Sequence, residues 1–452
     1  MPGQQSDHTT YPKPTMAWAT VIVLSFTYMF SFMDRQILVL LVEPIKHDLQ
    51  ITDTQVSLLT GFAFAVVYAV MGIPMGRAAD LRVRKHVIIF GVTIWSVLTI
   101  YCGFARNFFQ LFLARMGVGF GEAALTPAAY SMVADLFPPE KLGRAMSVFV
   151  LGGVAAGGAL SLLLGGFIIG WVEAVGAINL PLLGELKAWQ LVLIIVGFLS
   201  LLMVIPLSLI KEPKRHGDIQ ASSTTKPVDL PFRDVLKYLW EKKAFYGSFI
   251  AGISLINLYG YGAGAWIPSY FIRVHGWDAA SAGINLGLLY LFPAVVGGLA
   301  SGWLSDYFYG KGYRAAHLML ITIAAGLSTL IVPMIIYIPL MPVKLTMLVV
   351  ANFLMVALAV LLPTVMQMAT PNRIRAQASA IYLLIGNMVG IGFGPTAIAL
   401  ITDYVFKDDM AVGDAIAVVG ILCFSVGSLV LCFSFKPFLS QQQSLLDSTV
   451  QK

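Results

Sequence analysis

Four charged side chains lie inside long apolar stretches of this sequence. Asp34 and Arg35 are adjacent in the first such stretch, and Arg115 and Glu122 lie seven residues apart in a later one. If these stretches cross a membrane, each charge costs at least about 2.5–3.5 kcal/mol to insert, so such side chains are retained mainly for function. These four residues are therefore the first candidates for a functional site.

The four residues comprise two acids and two bases, a set suited to proton transfer and anion binding. On a helix, the spacing of Arg115 and Glu122 places both on one face, about 10 Å apart along the axis. A buried carboxyl beside an arginine can gain or lose a proton when a ligand or a conformational change alters that neighbour. We predict proton coupling at Asp34 and Glu122, and binding of an anionic group by Arg35 and Arg115. The alternative is a purely structural network of buried ion pairs, which would be a costly source of stability.

The composition indicates what kind of element holds these residues. Of 452 residues, 58% are hydrophobic and 12% are charged, whereas a soluble domain carries roughly 25% charge. Most of the protein surface must therefore face lipid. Three cysteines, Cys102, Cys423 and Cys432, lie in apolar runs without a spacing motif. This pattern argues against a disulfide framework or a metal site.

The apolar stretches are long enough to be transmembrane helices, which need about 20 residues. Backbone groups in lipid are satisfied only in helices or closed barrels, and these runs lack the alternation of barrel strands. Two stretches, 17–42 and 107–134, are interrupted only by the four charges. The sequence predicts an all-α membrane protein of twelve helices. The ten stretches of at least 19 residues without Asp, Glu, Lys or Arg are 54–76, 87–105, 145–172, 188–210, 244–272, 279–305, 315–343, 345–372, 376–402 and 415–435.

The basic residues predict the orientation of the chain. With the N-terminus inside the cell, the inner loops and tails hold 21 of the 29 Lys+Arg and the outer loops hold six. This bias places both termini in the cytoplasm of a multi-pass protein of the cell membrane, the inner membrane in a Gram-negative bacterium. The predicted parts are an N-terminal tail (1–16), an N-terminal six-helix half (17–210), a central cytoplasmic loop (211–243), a C-terminal six-helix half (244–435) and a C-terminal tail (436–452).

A weak repeat relates the two halves. Gly76 and Asp80 follow the second predicted helix, and Gly302 and Asp306 follow the eighth with the same spacing. Two parallel six-helix repeats joined by a cytoplasmic loop are the architecture of the major facilitator superfamily. The repeat predicts this fold.

The loop after the second helix supports this fold. Its sequence G-R-A-A-D-L-R-V-R-K, which begins at Gly76, resembles the superfamily's signature of a glycine, an aspartate and a basic cluster. Asp80 can cap a helix or pair with an arginine across the interface between the halves. We predict a gate formed by Gly76, Asp80, Arg84 and Asp306. The alternative is a solvated loop that follows the charge bias of inner loops.

The predicted spans of the C-terminal half contain no charged residue, so uncharged polar side chains must supply its part of a cavity. We predict substrate contacts from Asn257, Tyr259, Gln367, Tyr382 and Asn387. Methionines and aromatic residues are abundant there and pack adaptably around a flexible apolar tail. For any one of these residues, ordinary helix packing is the alternative. The cavity is therefore predicted to hold an amphiphile.

Motifs of other protein classes are absent from the sequence. It has no GxxxxGK[ST] loop for ATP, no G-x-S-x-G elbow and no HExxH zinc motif. We therefore expect neither an enzyme nor a bound cofactor or metal, and no nucleic-acid partner.

Two motifs resemble the spinster family of the major facilitator superfamily. The first helix has S-F-M-D-R, ending at Arg35, where that family has N-Y-L-D-R. The fourth helix has A-R-M-G-V-G-F-G-E-A, beginning at Ala114, which is similar to S-R-x-x-x-G-x-G-E-A. The resemblance implies proton-linked export of lipid-like molecules, with sphingolipids or lysophospholipids as cargo in animals. It also implies that the four buried charges form the family's polar core. The short tails favour a bacterial member.

The sequence thus predicts a monomeric, proton-coupled secondary transporter that moves an amphiphilic, lipid-like anion or zwitterion by alternating access, with protons and membrane lipid as its other partners. A symporter of small organic anions would use the same arginines but needs a more polar C-terminal half. A membrane receptor or channel is the alternative from another class, against which the repeat argues.

Overall fold

The chain forms a bundle of long helices in the computed structural model. The structure describes residues 11–150, 152–153, 156–176, 178–180, 184–215, 232–371 and 374–450. Within these residues, eleven helical stretches are long and apolar enough to cross a membrane. The prediction of an all-α membrane protein is confirmed.

Eleven helices and one small hairpin precede the central loop. A π-helical turn, Leu58–Phe62, joins the third helix to the fourth, so 53–81 is one continuous span. The helices are α1 (Pro14–Leu40), α2 (Val42–Leu49), α3 (Asp53–Ser57), α4 (Ala63–Leu81), α5 (Arg84–Cys102), α6 (Phe108–Glu122), α7 (Leu125–Leu136), α8 (Pro139–Val150), α9 (Ala156–Val175), α10 (Ala188–Leu202) and α11 (Val204–Leu209). Strands β1 (Ile178–Leu180) and β2 (Gly184–Leu186) pair antiparallel between α9 and α10.

Nine helices follow in the rest of the described chain. They are α12 (Phe232–Glu241), α13 (Lys243–His275), α14 (Ala279–Gly310), α15 (Ala316–Tyr337), α16 (Met341–Ala369), α17 (Arg375–Asn387), α18 (Gly394–Leu400), α19 (Val412–Cys432) and α20 (Phe435–Val450). Two π-helical turns, Met388–Phe393 and Ile401–Phe406, flank α18. The sequence analysis did not predict α12, which lies in the central loop, or α20, which lies in the C-terminal tail.

The predicted span 107–134 is divided into two helices. The first, α6, ends at Glu122, and α7 begins at Leu125 after a short turn. Neither piece alone is long enough to cross a bilayer, so the count of twelve spans stays a prediction, as does the placement of both termini. The break follows directly after one of the four buried charges.

Glycines bring α6 very close to its neighbours. A Cβ atom at position 121 would lie 2.7 Å from the carbonyl oxygen of Gly91 and 2.7 Å from the amide nitrogen of Trp95, both on α5. A Cβ atom at position 119 would lie 2.7 Å from the carbonyl oxygen of Phe64 on α4. Real Cβ atoms do not approach other atoms so closely, so only glycine allows this packing. It buries the end of α6, where Glu122 lies.

The two predicted halves meet along α9 and α14. A Cβ atom at Gly166 would lie 2.6 Å from the carbonyl oxygen of Ala280, and one at Gly287 would lie 2.6 Å from the amide nitrogen of Leu163. On the other side of the bundle, Gly61 approaches the carbonyl oxygen of Ile391 equally closely. These contacts fall in the parts of the helices that the charge bias places toward the outside.

Candidate functional site

Arg35 and Glu122 form a buried ion pair between α1 and α6. The Glu122 side chain is fully buried, and its Oε2 accepts hydrogen bonds from Arg35 Nη2 at 2.5 Å and Nε at 3.0 Å. Ser31, one turn before Arg35, donates to the same oxygen at 2.6 Å. The sequence analysis named Arg35 and Glu122 as site residues, and the structure brings them into contact. It did not signal Ser31, which replaces the asparagine of the spinster motif.

Aromatic rings surround the Arg35 guanidinium. Its carbon lies 4.4 Å from the ring centre of Phe64, 5.1 Å from that of Phe32 and 5.4 Å from that of Tyr68. The face of an aromatic ring attracts a cation, most strongly where water is excluded. The rings stabilise the charge of Arg35 without occupying its hydrogen-bond donors. An anionic ligand can therefore still be bound.

Asp34 contacts a different helix, α5. It is fully buried, and its Oδ2 accepts a hydrogen bond from the Thr99 hydroxyl of α5 at 2.9 Å. Its Oδ1 has no hydrogen-bond partner among the described residues. Asp34 also forms no ion pair within them. Thr99, an ordinary threonine in an apolar span, could not have been recognised from the sequence.

Arg115 is the fourth buried charge, with a side chain that is almost completely enclosed. Its Nε donates to the Leu59 carbonyl oxygen in the π-helical turn at 3.4 Å, and its Nη2 has no partner in the described part of the chain. Its guanidinium carbon lies 5.7 Å from the ring centre of Phe64. The two buried acids and two buried bases therefore form one close ion pair, Arg35–Glu122. Asp34 and Arg115 lie in the same helices but form no ion pair among the described residues.

A cavity of about 380 Å³ lies between the two halves, and Arg35 is the one charged residue among those that line it. Of the polar residues predicted in the C-terminal half, Asn257 and Tyr259 line this cavity. Gln367, Tyr382 and Asn387 do not line it. Gln367 is exposed, Tyr382 is buried and Asn387 is half-buried.

The cavity wall has further polar residues that are not among the predicted contacts. Gln36 and Thr60 contribute from the N-terminal half, and Tyr261, Tyr290 and Asn352 contribute from the C-terminal half. The Oδ1 atom of Asn352 is buried without a hydrogen-bond partner within the described residues. A ligand in the cavity can donate a hydrogen bond to it. The wall is otherwise mainly apolar, with side chains such as Ile267, Ile335 and Met355.

The predicted gate residues do not meet one another here. Arg84 is buried and forms ion pairs with Asp135 and with Glu212, the latter at 2.7 Å. All three precede α12, so this cluster links the loop after α4 to the start of the central loop. Asp80 is exposed, and its carbonyl oxygen accepts a hydrogen bond from Arg215, whereas its side chain forms no ion pair within the described residues.

The other two gate candidates lie in looser surroundings. A Cβ atom at Gly76 would make an ordinary contact with Pro127 at 3.8 Å, so glycine is not required there by packing. Asp306 is largely exposed and lies 4.0 Å from His317 Nε2. At this end of the bundle, no ion pair joins the two halves within the described residues.

An ion network that the sequence analysis did not predict joins the halves at the opposite end. Arg273, at the end of α13, donates to both oxygens of Asp53 at 2.6 and 2.8 Å and to Glu43 at 2.7 Å. Lys46 forms ion pairs with Asp53 at 2.9 Å and with Asp409 at 2.5 Å. We call these five residues the outer network. They closely connect the α1–α4 region to α13 and the segment before α19.

Two further bonds reinforce this end. The amide and hydroxyl of Thr54 donate to Asp403 at 2.7 and 2.6 Å. The carboxylates of Asp53, Asp403 and Asp409 lie within 4.8 Å of one another, but the Lys46 ammonium already supplies a cation there. Burial lowers the pKa of Lys46, but its hydrogen bonds to Asp409 and Asp53 outweigh burial, so the pKa of Lys46 is raised above its ordinary value. In the predicted orientation, the cavity is closed toward the outside.

A helical membrane bundle with a cavity between two groups of spans, and a partly buried arginine in the wall of that cavity, is the architecture of a membrane transporter. The family model of the Major Facilitator Superfamily matches residues 24–395. The chain belongs to that superfamily and is a multi-pass membrane protein.

Individual relatives give a similar result. An MFS-type efflux pump of Mycolicibacterium smegmatis is 28% identical over 94% of this chain and 95% of its own length. A probable L-galactonate transporter of Escherichia coli is 25% identical over 69% of this chain and 68% of its own length. A crystal structure of a bacterial homologue of the human lysosomal transporter Spinster, inward-facing and occupied, superposes with a TM-score of 0.74. It covers 96% of this chain and 98% of that one at 24% identity. The resemblance to spinster proteins is confirmed.

Proposed function

We propose that this protein is a proton-coupled transporter of an amphiphilic anion or zwitterion, with Arg35 as the head-group ligand and Glu122 as the proton site. One observation carries the proposal: the charged group in the cavity wall is paired with a buried carboxylate that does not line the cavity. One guanidinium is thus shared between the ligand site and a titratable group.

Competition for Arg35 is the coupling step. While Glu122 is ionised, its Oε2 holds both Nε and Nη2 of Arg35. A proton on Glu122 removes the charge that binds the guanidinium, and the anionic group of a substrate can then take its place. Bound substrate favours the protonated carboxyl for the same reason. Proton and anion therefore favour each other's binding, and the linkage is reciprocal.

The second acid gives the proton a neighbouring position. Among the described residues, Thr99 is the one hydrogen-bond donor to Asp34, and the other carboxylate oxygen has no partner. Arg115, which is buried without a carboxylate partner, offsets part of the charge of the cluster. We infer that Asp34 and Arg115 tune how readily the cluster takes up a proton, whereas Arg35 contacts the substrate.

The shape of the cavity supports an amphiphile. Its volume of about 380 Å³ is at the lower end of the range for small-molecule sites. A suitable ligand would place its anionic head at Arg35 and a short apolar tail against Ile267, Ile335 and Met355. Polar groups such as Asn352 would contact a hydroxyl or amine of the substrate. Movement of the halves 17–210 and 244–435 around this cavity would then alternate its access.

Binding of a strong-acid amphiphile tests the coupling. 1-Decanesulfonate stays ionised at every pH used, so its own titration does not contribute. As the pH falls through the range where Glu122 takes up its proton, we expect the parent to bind it more tightly, by up to about tenfold per pH unit for one linked proton. Glu122→Gln should bind it as tightly as the protonated parent, with little change across pH. Isothermal titration calorimetry on purified protein measures both.

The exposed carboxyl Asp306 provides the matched control, because Asp306→Asn removes a similar charge away from the cavity. That variant should keep the pH dependence of the parent. An unchanged pH dependence in Glu122→Gln would remove Glu122 as the proton site. Equal affinity in Arg35→Lys and the parent would remove Arg35 as the head-group ligand, because lysine keeps the charge but loses the planar fork of donors.

A further inference from the structure

The central loop contains a short amphipathic helix, α12, which begins only eleven residues before the span α13. One face of α12 packs into the bundle. Val235 is completely buried and Leu239 is 9% exposed. Between them Tyr238 accepts a hydrogen bond from Gln441 Nε2 of α20 at 3.3 Å. This face fixes the helix against the protein.

A second face of α12 is exposed, and no other part of the described chain covers it. Arg233, Leu236 and Trp240 follow one another at spacings of three and four residues, which places them in one stripe along α12. Lys243, the first residue of α13, extends this stripe. All four are exposed, with Trp240 at 72% and Leu236 at 45%. The Lys243 ammonium lies 5.2 Å from the Trp240 ring centre. We call these four residues the α12 stripe.

Basic residues outnumber acidic ones around α12. Arg233 and Lys243 belong to the α12 stripe, and Lys237 borders it, three residues after Asp234 and four before Glu241. The acids Asp234 and Glu241 lie seven residues apart and therefore on a common side, away from Leu236 and Trp240. The stripe thus combines an aromatic ring, an aliphatic side chain and an excess of positive charge. This is the chemistry of helices that lie in the head-group region of a bilayer.

The position of α12 brings a bilayer within its reach. The span α13 begins at Lys243, so Trp240 lies less than one helical turn from residues that enter the membrane. Tryptophan is enriched at this depth because its ring is apolar and its N–H is polar. Basic side chains near a membrane surface are attracted by anionic lipid, and the attraction acts over only a short distance from the surface.

We propose that the α12 stripe binds the head groups of anionic phospholipids, and that this contact anchors the central loop to the membrane surface. The partner is the lipid surface and not a soluble protein, because the stripe adjoins a span and matches the opposite charge of anionic head groups. Arg233, Lys237 and Lys243 contact lipid phosphates. Trp240 and Leu236 insert among the upper parts of the acyl chains.

Fluorescence quenching in vesicles tests the proposal with the full chain. The protein is reconstituted into phosphatidylcholine vesicles containing 30% of either brominated phosphatidylglycerol or brominated phosphatidylcholine. The Trp240 signal is the difference between the parent and Trp240→Phe. We expect brominated phosphatidylglycerol to quench this signal at least about twofold more than brominated phosphatidylcholine. Replacing Arg233, Lys237 and Lys243 by glutamine should abolish the preference.

A second triple variant controls for net charge. Lys141, Arg144 and Lys436 are exposed basic residues outside the stripe, and their replacement by glutamine should leave the preference intact. The proposal is overturned if brominated lipid of either kind leaves the Trp240 signal unquenched while aqueous iodide quenches it freely. That result would assign the stripe to water or to a soluble partner. Equal quenching by both lipids, or equal loss of preference in both triple variants, overturns the role of the three basic residues.

Discussion

At the scale of single residues, the site depends on a few hydrogen bonds that hold charges out of water. Asp34 receives one side-chain bond, from Thr99, and a buried carboxylate without partners is costly. Glu122 receives three bonds, two of them from Arg35. The sequence identified all of these charges because charge in an apolar stretch is conspicuous. It could not identify Ser31 or Thr99, since serine and threonine occur throughout membrane helices. Most of their hydroxyls donate to a backbone carbonyl oxygen one turn earlier in the same helix.

Thr99→Val should destabilise the protein by about 1–3 kcal/mol, because it leaves the Asp34 carboxyl without its donor. The shape of the side chain is kept, so packing changes little. Thr99→Ser keeps the hydroxyl and serves as the control, with a smaller loss. Thermal unfolding in detergent, followed by the fluorescence of a thiol-reactive dye, measures both. If both variants unfold at the same temperature, the bond to Asp34 does not contribute to stability.

At the scale of elements, the apolar stretches predicted the helices well because lipid leaves the backbone no alternative. The break in the span 107–134 was not predictable from hydropathy, since Ala123 and Ala124 are ordinary helix residues. Its position depends on tertiary packing, in which Gly119 and Gly121 fix α6 against α4 and α5. The helix α12 was also missed, because its ten residues form a short amphipathic pattern within a polar loop. The choice of cavity residues on α13 and α16 depends on helix rotation, which a uniformly apolar span does not reveal.

Gly121→Ala tests whether this packing positions Glu122. The added methyl group would overlap backbone atoms of Gly91 and Trp95, which cannot move as a flexible side chain can. We expect a loss of stability of roughly 1–3 kcal/mol and weaker coupling to pH, because α6 must move away from α5. Gly143→Ala on α8 is the control, since no atom lies within 4 Å of its Cβ position. Should Gly121→Ala match that control in unfolding temperature and pH dependence, close packing of α6 is not needed at the site.

At the scale of the whole molecule, contacts between the halves are concentrated at one end. The outer network closes the predicted outer end, whereas the predicted gate residues Asp80 and Arg84 contact only the N-terminal half or the start of the central loop. The outer network stabilises the conformation described here. We infer that the other conformation of an alternating-access cycle is stabilised by contacts that Asp80 and Arg84 make with the C-terminal half only in that conformation. A sequence alone cannot show this asymmetry, because it contains the residues of both conformations at once.

Two substitutions should move this equilibrium in opposite directions. Arg273→Gln removes bonds to Asp53 and Glu43 and should increase the population open to the outside. Asp80→Asn should favour the conformation described here, which makes no side-chain contact with Asp80. The exposed Cys432 is first replaced so that spin labels attach only at introduced cysteines. Distances between labels at both ends of the bundle, measured by double electron–electron resonance, then report the two populations. A shift of both variants in the same direction would contradict the assignment of two gates.

The outer network also has a defined response to alkaline pH. Because the pKa of Lys46 is raised in the folded protein, the stabilisation from its charge is fully present below the ordinary lysine pKa of about 10.4. It is lost as the pH rises through the higher folded value. The closure of the outer end should therefore not change between pH 7 and pH 9, because Lys46 stays charged throughout this range. Spin-label distances at the outer end over this range provide the measurement, and opening below pH 9 would contradict it.

In the proposed mechanism, the buried cluster carries one proton with each substrate molecule. The charge of the substrate then determines whether transport moves net charge across the membrane. If one proton crosses with one monovalent anion, the cycle moves no net charge, and a membrane voltage should leave accumulation unchanged. A zwitterion that crosses with one proton moves one positive charge. A potential of 100 mV then contributes about 2.3 kcal/mol, or roughly 50-fold in accumulation. Uptake into proteoliposomes whose voltage is clamped with valinomycin and potassium, at equal pH on both sides, would thus separate the two kinds of substrate.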